Sequence, residues 1–294
     1  MPNVHIVTDS CATFVNKHIT RQYPVTIVPS TIVIDGKSYR EGVDITNDEA
    51  IRLIDASGKP PQIIPPSVDD FVRAYASISQ NFDAIVSVHA SREMYPMWGK
   101  ARIAAQQITG HSQIDVIDTQ TLCAAQGMLI NVGLRAMKDG ADFDTIVREI
   151  RGAVDRVYVM YYVENPRFLL QNNIMSKSHV VLGTMLGVKP FLAVEEGQLI
   201  AVEKVTNTTQ ALEHMVDFAL EFITLEDSAI VQHQVQPTEQ TRALQDRFSI
   251  EFPGQVFAHT LYAPSLAAIV GVDATGVIVL EEEDPDSPGD HDFD

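Results

Sequence analysis

The most informative part of the chain is LGTMLGVKPFLAVEEGQLI, which runs from Leu182 to Ile200. Its first residues resemble the end of a helix, and the step Lys189-Pro190 cannot continue that helix because proline lacks the backbone donor. Two short apolar runs follow, separated by Glu196-Gly197, a pair that favours a tight turn. The segment therefore predicts a helix end followed by a β-hairpin.

Short β-branched runs alternate with helical stretches through the first half of the chain, a pattern typical of a parallel sheet with crossover helices. The predicted strands lie near residues 4–8, 26–34, 84–89 and 114–118. Thr46 with Glu49 has the spacing of a capping box, and Ser67 stands before a second helix. A long helix from about residue 120 to Gly140 and another from Phe143 complete this half, and the Pro-rich segment 59–66 is predicted to be a loop.

The second half has a different order of elements. It is predicted to contain a strand at 157–163, the hairpin near 188–205, a helix near 208–223 and strands near 228–235, 255–262 and 276–281. We predict an α/β protein with two domains, residues 1–155 with a three-layer parallel sheet and residues 156–281 with a mixed sheet. Residues 282–294 are predicted to be an acidic, disordered tail.

The amino-acid composition and charge disfavour several classes of function. The formal net charge is −18, and residues 281–294 contain eight acidic residues and no Lys or Arg. Such a charge disfavours nucleic acid and anionic membranes as partners. No apolar run approaches the roughly 20 residues of a membrane span, and the N-terminus does not resemble a secretory signal, so we expect a cytoplasmic protein. Cys11 and Cys123 lie far apart, and we expect neither a metal site nor a cofactor.

Several further motifs stand in a fixed order along the chain. They are VHIVTDS at 4–10, VP at 28–29 with IDGKSY at 34–39, GVDIT at 42–46 and IDT at 117–119. Together with the hairpin segment they resemble the DegV family of fatty-acid-binding proteins over residues 4–280. The resemblance implies a two-domain DegV-like (EDD) fold that holds an acyl ligand in a cleft between the domains.

The positions that grip the ligand in that family are mostly changed in this chain. The family loop TSQPS reads Ile63-Ile64-Pro65-Pro66-Ser67, and in the loop from Ser91 to Ala101 the ligand-contacting serine is Tyr95 and the glycine is Pro96. The family motif GGRIS reads NNIMS at 172–176, with Ile174 in place of the arginine. The late motif HxGPG reads IVGVD at 269–273, which keeps Gly271 but loses the histidine.

These matches predict the ligand-binding residues, which are Ser10, Ile63, Ser67, Ser91, Tyr95, Pro96, Trp98 and Gly271. The Tyr95 hydroxyl either donates to the head group or fills its position as a plug, and His89 is a further candidate donor. Ser67 either caps its helix or contacts the ligand, and Ser10 either contacts the ligand or caps the helix expected after it. Second-domain side chains would bury the ligand tail, namely Met160, Phe168, Leu169, Met185, Phe191 and Leu192.

Three functions follow as alternatives. The first is a carrier or sensor of a long-chain fatty acid or related acyl lipid, and the second is a degenerate module whose site is closed and which acts in regulation or interaction. The third is a transferase that uses Cys11 or Ser10, which requires a thiol of low pKa or an activated hydroxyl. The carrier or sensor is favoured, and this function requires no catalytic residues. Because the family arginine and histidine are absent, we do not expect the hand-off of the ligand to a fatty-acid kinase.

Overall fold

The structure is a computed structural model, and it describes residues 3–16, 18–108, 110, 112–170, 185 and 187–283. The described chain contains three sheets. Two of them are built from strands of the first half, and the third comprises the strands after residue 156.

The first sheet is parallel and has four strands in the order β2-β1-β6-β7. Its strands are β1 (Val4–Asp9), β2 (Val25–Val28), β6 (Ala84–His89) and β7 (Gln113–Asp118). The helices of this half are α1 (Ile19–Gln22), α2 (Asn47–Ser57), α3 (Val68–Ile78), α4 (Met97–Ala105), α5 (Cys123–Lys138) and α6 (Phe143–Val154). Every residue of β1 and of β6 is buried, as expected for inner strands covered on both faces.

A small antiparallel sheet lies beside the first and has the order β4-β3-β5. Its strands are β3 (Thr31–Ile34), β4 (Lys37–Arg40) and β5 (Gln62–Ile64). Two predictions are corrected here. The single strand expected at 26–34 is divided after Val28, and the expected loop 59–66 contributes β5, because residues 62–64 pair with β3.

The predicted helix starts are confirmed. Thr46 and Ser67 each accept a hydrogen bond from the third residue of the following helix, and Glu49 and Asp70 complete the two capping boxes. The predicted helix from about residue 120 is α5, and the helix predicted from Phe143 is α6. Sequence patterns therefore located these elements to within a few residues.

The third sheet is mixed and has six strands in the order β10-β9-β8-β13-β11-β12. Its strands are β8 (Val157–Val163), β9 (Lys189–Glu195), β10 (Gln198–Val205), β11 (Leu225–Gln232), β12 (Ala258–Leu261) and β13 (Ala274–Glu281). Its helices are α7 (Thr208–Leu220), α8 (Glu239–Glu251) and α9 (Pro264–Val270). The mixed sheet and the hairpin at Glu196-Gly197 agree with the sequence prediction, whereas the domain boundary after residue 155 stays a prediction.

Helix α5 lies between the parallel sheet and the mixed sheet. It contacts β6 of the former and β8, β11 and β13 of the latter, and most of its residues are buried. A Cβ at Gly127 would stand 2.0 Å from the backbone oxygen of Thr13, so only glycine fits where the helix meets the loop after β1. The two halves of the chain therefore share one apolar core.

The two faces of the mixed sheet belong to different apolar clusters. Val159, Tyr161 and Leu192 pack into the core shared with the first half, whereas Tyr162 and Phe191 pack with α7 and α8 on the other face. This division follows from the alternation of side chains along a strand. Of the six side chains predicted to surround a ligand tail, Phe168, Leu169 and Leu192 face the shared core. Met160 and Phe191 do not, and Met185 is 78% exposed, so the prediction of one common lining is wrong.

The turn of the β9-β10 hairpin docks on the first half of the chain. Ser91 is fully buried, and its hydroxyl donates to the carbonyl oxygen of Gly197 at 2.6 Å. Gly197 has φ +79°, and a Cβ there would stand 2.6 Å from Ser91 Oγ. The β3-β4 hairpin has a turn of the same backbone conformation, Asp35 with φ 47° and Gly36 with φ +79°, and a Cβ at Gly36 meets nothing within 4 Å.

We predict that Gly197→Ala lowers the free energy of unfolding more than Gly36→Ala does. Both variants strain the left-handed backbone, at about 1–2 kcal/mol. Only Gly197→Ala also forces Ser91 away, which adds roughly 1–3 kcal/mol for overpacking a buried contact. Urea unfolding of the full chain measures the difference, and equal losses in the two variants would show that the Ser91–Gly197 contact does not stabilise the fold.

Candidate functional site

A buried carboxylate organises the ends of β1 and β6. Oδ1 of Asp9 accepts from the backbone N–H of Cys11 at 3.0 Å, and Oδ2 accepts from the N–H of Ala90 at 3.1 Å and from Nδ1 of His89 at 2.8 Å. Burial alone would raise the pKa of Asp9, but the hydrogen bond and charge of His89 and the two backbone donors outweigh it and lower that pKa. Asp9 therefore stays ionised and joins the loops that follow the two strands.

His89 is occupied on both sides of its ring. Nε2 lies 2.7 Å from the hydroxyl of Ser87, which in turn lies 2.7 Å from the hydroxyl of Tyr75 in α3. Because both nitrogens have protein partners, His89 is not a free donor for a ligand in this arrangement.

Ser10 does not cap a helix, which corrects the alternative raised from sequence. A turn follows β1, and the next helix begins only at Ile19. The Ser10 hydroxyl donates to Oε2 of Glu41 and accepts from the backbone N–H of Ser30, which is 2.9 Å away. Ser10 thus connects the end of β1 to the small antiparallel sheet.

Glu41 is the functional candidate that sequence reasoning missed. Its side chain is buried, with the whole residue 2% exposed, and its Oε1 has no hydrogen-bond partner among the described residues. Burial and the negative charge of Asp9 together raise the pKa of Glu41 to about 7, against the hydrogen bond from Ser10, which lowers it. Its only signal in the sequence is its position directly before the motif GVDIT, which begins at Gly42.

Tyr95 connects the loop after β6 to helix α9. Its hydroxyl donates to the backbone carbonyl of Ser265 at 2.8 Å. Burial raises the pKa of Tyr95 well above its ordinary value, and nearby charge on Cys11 or Glu41 would raise it further. The Tyr95 hydroxyl therefore lies where the first half of the chain meets the second.

Cys11 lacks the property that a nucleophilic role requires. Burial raises the pKa of its thiol well above the ordinary value, and the charges of Asp9 and Glu41 raise it further. No helix begins directly after it that would supply stabilising amides. The premise of a thiol with low pKa is therefore wrong for Cys11.

The remaining predicted residues of the first half lie in varied settings. Ser67 is exposed, and its hydroxyl is engaged with Asp70 in the capping box. Ile63 is half-buried against the shared core, and Pro96 is exposed at the start of α4. The indole N–H of Trp98 donates to the backbone oxygen of Val116 at 3.2 Å. This hydrogen bond attaches α4 to β7, the strand at the edge of the parallel sheet.

Gly271 ends helix α9. It has φ +93°, its N–H donates to Ala267, and its carbonyl accepts from the Tyr262 hydroxyl at 3.0 Å. Phe168 lies beside it, 3.8 Å from where a Cβ would stand. Residues 172–176 and 284–294, which include Ile174 and most of the predicted tail, lie outside the described residues.

The described residues define an α/β protein with a parallel and a mixed sheet that meet at a buried polar cluster. The family model for DegV, described as a family of uncharacterised proteins, matches residues 3–282. The chain therefore belongs to the DegV family. Among the described residues, no helix has both the length and the apolar character that a membrane span requires.

Individual relatives agree with this assignment. The chain is 28% identical over 218 residues to a DegV domain-containing protein of Caldanaerobacter subterraneus, covering 74% of this chain and 77% of the relative. The crystal structure of a fatty acid binding DegV family protein from Streptococcus agalactiae superposes with a TM-score of 0.85, at 20% identity, over 96% of this chain and all of that one. A DegV family protein from Eubacterium eligens, loaded with heptadecanoic acid, superposes with a TM-score of 0.81, at 14% identity, over 95% and 100% of the two chains. These structural likenesses establish the fold.

We predict that Glu41→Gln gains stability relative to the natural chain as the pH rises. Folded Glu41 keeps its proton up to about pH 7, whereas an unfolded glutamate loses it near 4.5, so the natural chain loses stability across that interval. The glutamine variant has no such proton to lose. From about pH 5 to about pH 8 its free energy of unfolding should rise relative to the natural chain by on the order of 2 kcal/mol.

Urea unfolding of both chains at the two pH values measures this effect. Glu49→Gln is a flat control, because hydrogen bonds from Thr46 lower the pKa of Glu49, so Glu49 is ionised in both the folded and the unfolded chain above about pH 5 and its contribution to stability hardly changes between the two pH values. A Glu41→Gln chain that follows the natural chain at both pH values would show that Glu41 is ionised freely in the folded protein.

Proposed function

We propose that this chain binds an acyl lipid between its parallel and mixed sheets and acts as a cytoplasmic carrier or sensor without catalysing a reaction. Membership of the DegV family and the fatty acids bound by its structural neighbours support this proposal. The observation that carries it is the placement of Tyr95. The resemblance assigns the ligand head group to this position, and Tyr95 lies where the loop after β6 meets α9 of the other half.

In this proposal the ligand tail extends along the face of the mixed sheet that joins the shared core. Phe168, Leu169 and Leu192 are apolar side chains on that side. Burying an acyl chain contributes about 0.8 kcal/mol per methylene, so roughly fourteen methylenes contribute on the order of 10 kcal/mol before any head-group contact. Affinity for the tail can therefore persist although the head-group residues have changed.

One observation favours a second candidate, a module whose site is closed. The hydroxyls of Ser91 and Tyr95 both donate to backbone carbonyls of the second half, those of Gly197 and Ser265. Each hydroxyl has one proton, so neither is left to donate to a carboxylate. Tyr95 in this arrangement acts as a plug, and the protein would serve in regulation or interaction.

Transfer chemistry is the third candidate and has the least support. The raised pKa of Cys11 disfavours a thiolate nucleophile, and Ser10 donates to Glu41 rather than to a histidine base.

Native mass spectrometry of freshly purified protein, followed by lipid extraction, tests the first candidate against the second. We expect a stoichiometric acyl lipid on the natural chain. Tyr95→Ser removes the plug and returns the family residue, so we expect it to bind at least as much lipid. Tyr95→Phe keeps the ring and removes only the hydroxyl, which makes it the matched control for the hydrogen bond to Ser265.

The outcomes separate the two candidates. An empty natural chain together with a lipid-loaded Tyr95→Ser chain would establish the closed module. If the natural chain and both variants were empty after folding had been verified, acyl-lipid binding would be refuted.

We predict that the chain does not support phosphorylation of a bound acyl carboxylate by a fatty-acid kinase, because Ile174 and Ile269 replace the arginine and histidine that the family places near the head group. A reconstituted assay with labelled ATP measures acyl phosphate, and a DegV protein that has both residues serves as the positive control. The double variant Ile174→Arg, Ile269→His tests whether the two residues suffice. Robust phosphate transfer with the natural chain would contradict the prediction.

A further inference from the structure

We propose that the end of the mixed sheet opposite to α9 is a docking surface for a partner protein, whose docked segment is apolar at its centre and basic around it. Five exposed apolar side chains form this surface, here called the strand-end patch, and they are Tyr158, Leu220, Ile223, Ile250 and Val256. The patch is separate from the lipid site of the proposed function, because β13 starts just after α9 and reaches the patch only at its other end.

Strand directions bring the five residues to one end of the sheet. β11 runs parallel to β12 and antiparallel to β13, and β13 is antiparallel to β8. The starts of β8, β11 and β12 therefore lie together with the end of β13. Helices α7 and α8 lead into β11 and β12, so the last residues of both helices lie at this end as well.

Contacts around Ile223 agree with this arrangement. The backbone N–H of Glu282, just after β13, donates to the carbonyl oxygen of Thr224 at 3.2 Å. The rings of Tyr158 in β8 and Phe222 have centroids 4.6 Å apart. Ile223 stands between Phe222 and Thr224 in the chain, so it lies beside the start of β8 and the end of β13.

Val256 lies on the neighbouring strand at the same end. The side-chain amide of Gln255 donates to the Ser228 hydroxyl of β11 at 3.2 Å. Extension of the register between β11 and β12 by two residues brings Val256 level with Asp227. Ile223 precedes Asp227 by four residues, which is at most about 13 Å along a strand. One docked segment can therefore cover both side chains.

The exposure of these side chains is exceptional within the described part of the chain. Ile223 is 95% exposed, Val256 is 76% exposed and Ile250 is 70% exposed, and they are three of the four most exposed large apolar side chains described. Single exposed apolar residues are common on protein surfaces, whereas a group of them marks an interaction site.

Carboxylates border the strand-end patch. Glu213, Asp217 and Glu221 recur at every fourth position of α7 and its C-cap, so they form one exposed row that ends at the patch. Glu282 is exposed beside Ile223, and none of these four carboxylates is in an ion pair within the described ranges. Residues 284–294 follow β13 and add five aspartates without Lys or Arg.

The arginines at this end do not neutralise that row. Arg156 lies 3.0 Å from Glu226, and Arg247 lies 3.6 Å from Glu251 in its own helix. Arg148 lines a cavity on the side of the sheet that carries α5, whereas the row is on α7. The border of the patch is therefore negative.

An apolar centre with a negative border selects a partner of complementary charge. A second copy of this chain would bring the same carboxylates face to face across a two-fold axis, and an anionic membrane would repel them. Residues 284–294 are disfavoured as the occupant for the same reason, and Phe293 is their only large apolar residue. The occupant is instead a segment such as an amphipathic helix, with apolar side chains on one face and Lys or Arg beside them.

A labelled peptide of Leu and Lys, about 18 residues long and ordered so that a helix has its leucines on one face, is the probe. Its control has the same composition in scrambled order, and so has the same charge without an apolar face. Fluorescence anisotropy with the full chain at about 0.15 M salt measures both dissociation constants. We expect the amphipathic peptide to bind at least about tenfold more tightly than the scrambled one.

The double variant Ile223→Ser, Val256→Ser should weaken binding of the amphipathic peptide at least about tenfold. The matched control is Val43→Ser, Ile103→Ser, which removes two exposed apolar side chains of the first half and should change binding less than about twofold. All four side chains are exposed, and urea unfolding verifies that both variants are folded. Glu213→Gln, Glu221→Gln should reduce the salt dependence of binding.

Four results would overturn the proposal. They are equal affinities for the two peptides, equal losses in the two serine variants, a dimer in sedimentation velocity that Ile223→Ser, Val256→Ser dissociates, and binding to phosphatidylglycerol vesicles that the same variant abolishes. The third result would assign the strand-end patch to a contact between copies, and the fourth would assign it to a membrane surface.

Discussion

The Asp9 carboxylate, buried at the carboxyl end of an inner strand, accepts hydrogen bonds from Cys11, Ala90 and His89. An ionised carboxylate buried without donors costs several kcal/mol, so these three donors make the charge tolerable. They also hold the backbone directly after β1 and after β6, where Ser10 and the loop from Ser91 to Tyr95 begin. The positions of the polar groups at the junction therefore depend on Asp9, and its charge makes Glu41 harder to ionise.

The shared core gives the two faces of the mixed sheet different surroundings. Because α5 is packed between the two sheets, the face of the mixed sheet toward α5 continues the core of the first half. The opposite face is closed by α7 and α8 and includes Phe191 and Tyr162. In the proposed function the ligand tail lies on the first of these faces, and alternation along β8 and β9 determines which of their side chains point to that face.

Sequence patterns predicted most strands and helices because the periodicity and the capping signals are local. They missed β5, which is short and forms only through pairing with β3. They offered a helix cap as one of two alternatives for Ser10 because a helix was expected after β1, whereas a turn follows and Ala12 forms a bridge with Cys123. Glu41 and the role of Tyr95 could not be found in this way, since their partners Ser10 and Ser265 are 31 and 170 residues away.

The changes at the head-group position all reduce the capacity to neutralise a carboxylate. Ile63, Ile174 and Ile269 replace a hydroxyl, a cation and an imidazole of the family pattern. Tyr95 replaces a serine with another hydroxyl, but its single proton is donated to Ser265. Oε1 of Glu41 meanwhile has no hydrogen-bond partner among the described residues. A fold does not determine which ligand it binds, and here the fold of the family is kept while the residues that the family pattern places at the ligand are changed.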